Sequence, residues 1–205
     1  RRGESLFREE MSKPDETIDL ARAAGYVAMH RRPDESRVAD AVEELDALAA
    51  ELEATLPPPD QRYPLRTLKA ISRYMFHTLG FKGNEEEFYD PRNSCLDEVL
   101  ARRTGIPITL SLVYMELARR VGVPMVGVNL PAHFMIRPVV EDMEVLQQAA
   151  RSDQFVPDMV LDLAGVDEAR RMLTKSARLI PDGNIAISCI AVISTAIAKH
   201  NYYVR

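Results

Sequence analysis

The stretch Thr104-Gly105-Ile106-Pro107-Ile108-Thr109-Leu110-Ser111-Leu112-Val113-Tyr114-Met115-Glu116-Leu117-Ala118-Arg119-Arg120-Val121-Gly122-Val123-Pro124 decides the fold. From Pro107 to about Val121 it is apolar almost all round, which places a helix inside a core with partners on several sides. Pro107 suits the first helical turn, where its missing N–H is not needed. Downstream, Met125 to Val128 and Phe134 to Val139 read as short strands around Asn129-Leu130-Pro131-Ala132. His133 sits at the second run, and Met159-Val160-Leu161-Asp162-Leu163 reads as a third strand. Upstream, Asn93 is placed to cap a helix from Ser94 to Arg103 whose inner face is Leu96, Val99 and Leu100.

Further out the chain is helical. Glu35 to Leu56 is the clearest amphipathic segment, with Val38, Ala41, Val42, Leu45, Leu48, Ala49 and Leu52 at three- and four-residue spacing. Its outer acids Glu43, Glu44, Glu51 and Glu53 read as solvation, and Pro57-Pro58-Pro59 stops it. Pro64 to Leu79 predicts a helix burying Leu65, Leu68, Ile71, Met75 and Leu79, with Gly80 as its cap. Thr17 to His30 predicts another, ended before Pro33. Arg1 to Lys13 is charged with little periodicity and reads as a tail or short irregular helix. Asp167 to Leu179 and Asn184 to about Asn201 predict two final helices. The fold class is α+β and mostly helical, with the buried helix from Pro107 packed on a small antiparallel sheet. Three parts follow: a helical layer at 1–83, a core at 84–165 and C-terminal helices at 166–205, expected to form one compact unit.

The 205 residues are 46% apolar, enough for one substantial core. A net charge of −5 argues against nucleic-acid binding driven by bulk electrostatics. The arginine pairs at 31–32, 102–103, 119–120 and 170–171 fall near predicted helix ends, where cations complement the helix dipole. The two cysteines, Cys95 and Cys189, match no metal spacing and no disulfide framework, so a soluble protein of a reducing compartment is expected. No apolar run reaches the roughly 20 residues of a membrane span. His30, His77 and His200 lack ligand spacing, so no metal and no cofactor are expected. The chain opens on Arg1 and not on methionine, which points to a processed or partial product.

Asn93-Ser94-Cys95-Leu96, Val99-Leu100, Arg102-Arg103, Gly105-Ile106-Pro107-Ile108-Thr109-Leu110-Ser111, Arg119-Arg120-Val121-Gly122-Val123-Pro124 and Pro131-Ala132-His133-Phe134 together resemble the core of the SirB-type transglutaminase-like family. The likeness is contiguous over about Tyr89 to Pro138 and weakens after it. That family occurs in bacteria and plastid-bearing organisms, with a related domain in some animal F-box proteins. The resemblance implies a cytoplasmic or plastid-stromal protein. It also implies a Cys-His-acid arrangement like that of transglutaminase-like and papain-like folds, with a nucleophile at the N-terminus of the buried helix. In this chain the nucleophile position is Pro107, the histidine is His133 and the orienting acid is Asp162. A proline supplies no nucleophile, so the resemblance implies a degenerate member and a pseudoenzyme.

Two other nucleophiles compete. Cys95 lies near a helix start, where the dipole lowers a thiol pKa, but a small buried hydrophobe is its plainer role. Thr109 stands close enough to the helix start to face His133, yet a hydroxyl needs a strong base and an oxyanion site. The vestigial site therefore comprises His133, Asp162, Thr109, Cys95 and Asn93. Three functions compete: a non-catalytic protein-binding or assembly module, a cysteine- or threonine-dependent hydrolase or acyltransferase with His133 as base, and an accessory subunit of a protein-turnover complex. In the first, Met125, Met143, Tyr89, Tyr202 and Tyr203 suit a protein interface.

Overall fold

The computed structural model describes residues 2–84, 86–130 and 133–139. Six α-helices appear among them: α1 (Arg2–Met11), α2 (Leu20–Ala28), α3 (Ser36–Glu53), α4 (Pro64–Ser72), α5 (Leu96–Arg102) and α6 (Pro107–Arg120). Four short strands join them. β1 (Lys82–Gly83) pairs in parallel with β2 (Thr104–Gly105), and β3 (Met125–Leu130) pairs antiparallel with β4 (His133–Pro138). The protein is thus α+β with helices dominant.

α6 is the axis of the core. Leu110, Val113, Tyr114, Leu117 and Ala118 have no exposed surface and share one apolar cluster with Leu45, Leu48 and Leu52 of α3 and Leu96, Val99 and Leu100 of α5. Ile136 brings the β3–β4 hairpin into the same cluster. The Tyr114 hydroxyl donates to the Leu68 carbonyl at 2.9 Å, so this deeply buried polar atom of α6 is satisfied by α4.

Several boundaries differ from the sequence reading, each for a local reason. α1 is a regular helix, not a tail. It is tied down by buried Glu10, whose carboxylate accepts from the Asp19 N–H at 2.8 Å and from Lys13 at 2.7 Å. Asp19 caps α2 by accepting from the Arg22 N–H, so that helix starts after a separate 3₁₀ turn at Asp15–Thr17. α4 does not run as one α-helix to Leu79. It continues as a π-helix over Arg73–Thr78, with the Leu79 N–H reaching the Tyr74 carbonyl at 2.8 Å. Gly80 then turns the chain at φ +71°, a conformation other residues adopt at a cost. Leu68, Ile71 and Met75 are buried as expected, while Leu79 is only partly so. β3 and β4 run further toward each other than the periodicity suggests, leaving only positions 131 and 132 between them. The expected third strand at Met159–Leu163 and the two final helices lie outside the described residues.

The acidic face of α3 is not simple solvation. Glu44 pairs with Arg103 at 2.9 Å, Asp46 with Arg120 at 2.6 Å and Glu53 with Arg62 at 2.6 Å, while Glu51 accepts from the Tyr74 hydroxyl at 2.8 Å. These acids staple α3 to the ends of α5 and α6 and to both sides of α4. Burial, with the bond to Glu51, pushes the Tyr74 phenol up to about 12.

Candidate functional site

The N-terminus of α6 is where the sequence concentrates its candidates. Pro107 takes the first helical position with Ile106 before it as the extended cap residue. Thr109 does not offer a free hydroxyl there. Its Oγ1 donates to the Asn93 carbonyl at 2.7 Å, shares that proton with the Ile106 carbonyl at 3.1 Å, and accepts from the Ile106 N–H at 3.1 Å. The side chain is buried and behaves as one half of a capping box, closing an orphan donor at the helix start. Gly105 leaves it room, since a Cβ there would fall 2.8 Å from Thr109 Oγ1. Replacing Thr109 with valine is expected to cost about 1–2 kcal/mol of stability, because the Asn93 carbonyl loses its donor. Thr109→Ser should retain most of the wild-type value, and urea denaturation of the two variants checks the pair.

Asn93 is not a helix cap. Pro91 starts a 3₁₀ turn at Pro91–Ser94, and the extended cap residue of α5 is Cys95. Asn93 is wholly buried inside that turn. Its Nδ2 donates to the carbonyls of Glu87 at 2.8 Å and Phe88 at 3.1 Å, and its Oδ1 accepts from Asn84 at 3.1 Å and Arg102 at 3.0 Å. Arg102 also lies 3.5 Å from Asp90, which caps the 3₁₀ turn by accepting from the Arg92 N–H at 2.9 Å. The Arg92 side chain and that N–H hold the Asp90 carboxyl down at about 2, so it stays ionised well below ordinary carboxylate pH. Asn84, Asp90 and Arg102 are members of this knot that the sequence reading missed. Asn84 and Asp90 signal themselves only as polar residues beside Gly83 and Pro91, and Arg102 only as one of the arginines near a helix end.

Cys95 is the small buried residue that its plainer reading expects, and it is not the acidic thiol that a helix start would favour. The side chain is buried, and burial together with the Asp97 charge raises its thiol pKa instead of lowering it. Its sulfur faces the Pro91 carbonyl at 3.5 Å. α5 is seven residues long, so little helix dipole offsets the desolvation.

His133 opens β4, where its main chain pairs with Leu130. Its side chain lies outside those described, as do Asp162 and Cys189 entirely. The arrangement brings Asn93 and Thr109 together, with Cys95 two residues after Asn93 at the cap of α5. Among the described residues no group of three His, Cys, Asp or Glu could hold a metal ion. No described helix is long and apolar enough to cross a membrane. Of the residues suited to an interface, Tyr89 is 87% exposed, and Met125 packs against the core. Met143, Tyr202 and Tyr203 fall outside the described residues. A groove of about 650 Å³ lies elsewhere, between α1 and α2, lined by Phe7, Tyr26, Val27, Met29 and Pro33 among others.

A strand pair leads into the buried helix α6, and the β3–β4 hairpin packs on it through Ile136. The family model described as the transglutaminase-like superfamily matches residues 39–163, more than half of the chain, and the chain belongs to that superfamily. It is 39% identical over 131 residues to a UPF0162 protein of Xylella fastidiosa, covering 62% of this chain and 44% of that protein. A UPF0162 protein of Pseudomonas aeruginosa is 36% identical over 139 residues, covering 68% of this chain and 50% of its own length. F-box only protein 21 of Mus musculus is 46% identical over 72 residues, which is 35% of this chain and 12% of that protein. The chain spans half or less of the length of these relatives. No solved structure matches it.

Proposed function

We propose that the chain is a transglutaminase-like domain without catalytic activity, a degenerate SirB-type member that works as a protein-binding or assembly module. The observation that carries this reading is Pro107 at the first position of α6, the place its resemblance assigns to the nucleophile. Proline brings neither a nucleophilic atom nor an N–H for an oxyanion. The nearest hydroxyl, Thr109, is engaged three times over by main-chain groups. Burial and the Asp97 charge raise the pKa of the Cys95 thiol, which disfavours the nucleophilic thiolate.

The identity with F-box only protein 21 supports a place in a larger assembly. The reading is tested with iodoacetamide and with a peptidyl chloromethyl ketone on the folded chain. Labelling is expected to be slow and equal in wild type and His133→Ala. Rapid labelling at Cys95 or Thr109 that His133→Ala abolishes would establish a hydrolase or acyltransferase instead. Co-purification from the native source then shows whether its companions are proteolytic components or another stable assembly.

A further inference from the structure

Between Gln61 and Asn84 the chain carries Arg62, Arg66, Lys69, Arg73 and Lys82 and no aspartate or glutamate, although its net charge is −5. α4 and the first residue of the π-helix turn part of that run into a surface. Arg66, Lys69 and Arg73 recur at i, i+3 and i+7, so they share one helix face, and all three are exposed. The opposite face is fixed in the core by Leu68, Ile71 and Met75, so the cationic row cannot turn inward. At its foot Tyr63 is 64% exposed, with the Arg66 guanidinium 5.6 Å from the ring centroid.

A charged helix face is ordinarily just solvated. This one differs in how the fold treats cations elsewhere. Arg37, Arg62, Arg102, Arg103 and Arg120 are each met by a carboxylate, whereas none of Arg66, Lys69 and Arg73 has one among the described residues. Exposed Arg31 and Lys82 lack one there too but stand singly, and only on α4 do three such cations share a face. Like charges at helical neighbour spacing destabilise a helix slightly, and an anion laid along the row would reverse that.

We propose that this face docks an acidic peptide segment of a partner protein, an assignment that rests on the binding-module reading above. The row is about 10 Å long from Arg66 to Arg73, which matches a few successive carboxylates and little more. A nucleic acid or an anionic membrane carries charge far beyond that length and would meet the net negative remainder of the protein. Membrane insertion also calls for an apolar belt, and Tyr63 is the one large exposed apolar side chain described on this helix and its approach.

The test is fluorescence anisotropy of a labelled oligoglutamate against the full chain at low ionic strength. Binding is expected, weakening as salt is added, and falling by about tenfold or more in Arg66→Glu/Lys69→Glu/Arg73→Glu. Arg31→Glu/Lys82→Glu, which removes exposed cations outside the row, should change it far less. Lys69→Ala/Arg73→Ala should give an intermediate loss and serves if the triple reversal does not fold. No binding, or equal binding by wild type and both row variants, overturns the proposal. Tighter binding of oligothymidylate or of phosphatidylserine vesicles through the same three residues overturns the peptide assignment. These outcomes are independent of the electrophile experiment, so a failed row and a failed non-catalytic reading are told apart.

Discussion

Arg120→Met should destabilise the protein by about 3 kcal/mol, the low end of what breaking a buried ion pair costs. Arg120 ends α6 with its guanidinium largely buried, paired to Asp46 of α3 at 2.6 Å and to Glu116 one turn earlier on α6. Burial alone would lower the Arg120 pKa, but the bonds to Asp46 and Glu116 outweigh it and the net shift is upward. Asp46 is 62% exposed and can return to water, whereas Glu116 is almost wholly enclosed. Removing Arg120 therefore strands the Glu116 carboxylate. Arg119, 3.0 Å away but more than half exposed, compensates only in part. The effect belongs to the orphaned charge and not to the pair. Glu116→Leu/Arg120→Met should accordingly fall within about 1 kcal/mol of wild type, since an apolar pair of similar volume can replace a buried ion pair. Urea denaturation of both variants at neutral pH decides the matter. A double variant as unstable as Arg120→Met would mean that packing at the α3–α6 contact, and not the stranded acid, sets the cost.

The same pair shows what a sequence can and cannot disclose. The apolar rows of α3 and α6 are visible at a glance because their spacing is local and matches the helical period. Glu116 and Arg120 are also local, at i and i+4, and could have been paired on paper. The partnership of Arg120 with Asp46 spans 74 positions and leaves no periodic trace. The whole acidic face of α3 therefore looked like solvent cover. Local chemistry misled in a second way at Cys95, where proximity to a helix start argued for an acidic thiol. Burial and the neighbouring Asp97 act the other way, and a seven-residue helix does little to oppose them.

At the α6 N-terminus the position of Thr109 was readable, since Pro107 marks the first turn. The acceptor of its hydroxyl was not, because the Asn93 carbonyl lies 16 residues earlier in a turn that Pro91 displaces from the α5 cap. Arg103 is legible as one of a cationic pair and as part of the family-like run, but not as the end of a helix in an unusual conformation. It ends α5 in the left-handed region at φ 54°, a conformation costly for a residue with a Cβ. It is held there by Glu44 and by the Phe81 ring at 4.9 Å.

Asn93→Leu is expected to be at least as damaging as the loss of Arg120, about 3–4 kcal/mol, although the two side chains are close in size. The argument is one of polar accounting. The amide of Asn93 satisfies two main-chain carbonyls with its Nδ2 and receives Asn84 and Arg102 on its Oδ1. Leucine fills the space but answers none of them. The Glu87 and Phe88 carbonyls lose the donor that meets them on the side of fully buried Asn93, although Glu87 itself is exposed and Phe88 half-buried. Arg102 retains Asp90 nearby, so the penalty is concentrated on the two carbonyls. Asn93→Asp separates this account from one based on Arg102: it restores an acceptor for the guanidinium yet points oxygens at both carbonyls, and should recover little stability. Because the Thr109 bond goes to the main chain of residue 93, a double-mutant cycle adds a second reading. If the 3₁₀ turn keeps its shape, Thr109→Val costs the same in both backgrounds. If the turn opens, Thr109→Val becomes silent in Asn93→Leu, which would make the amide the element that holds the start of α6 against the rest of the fold.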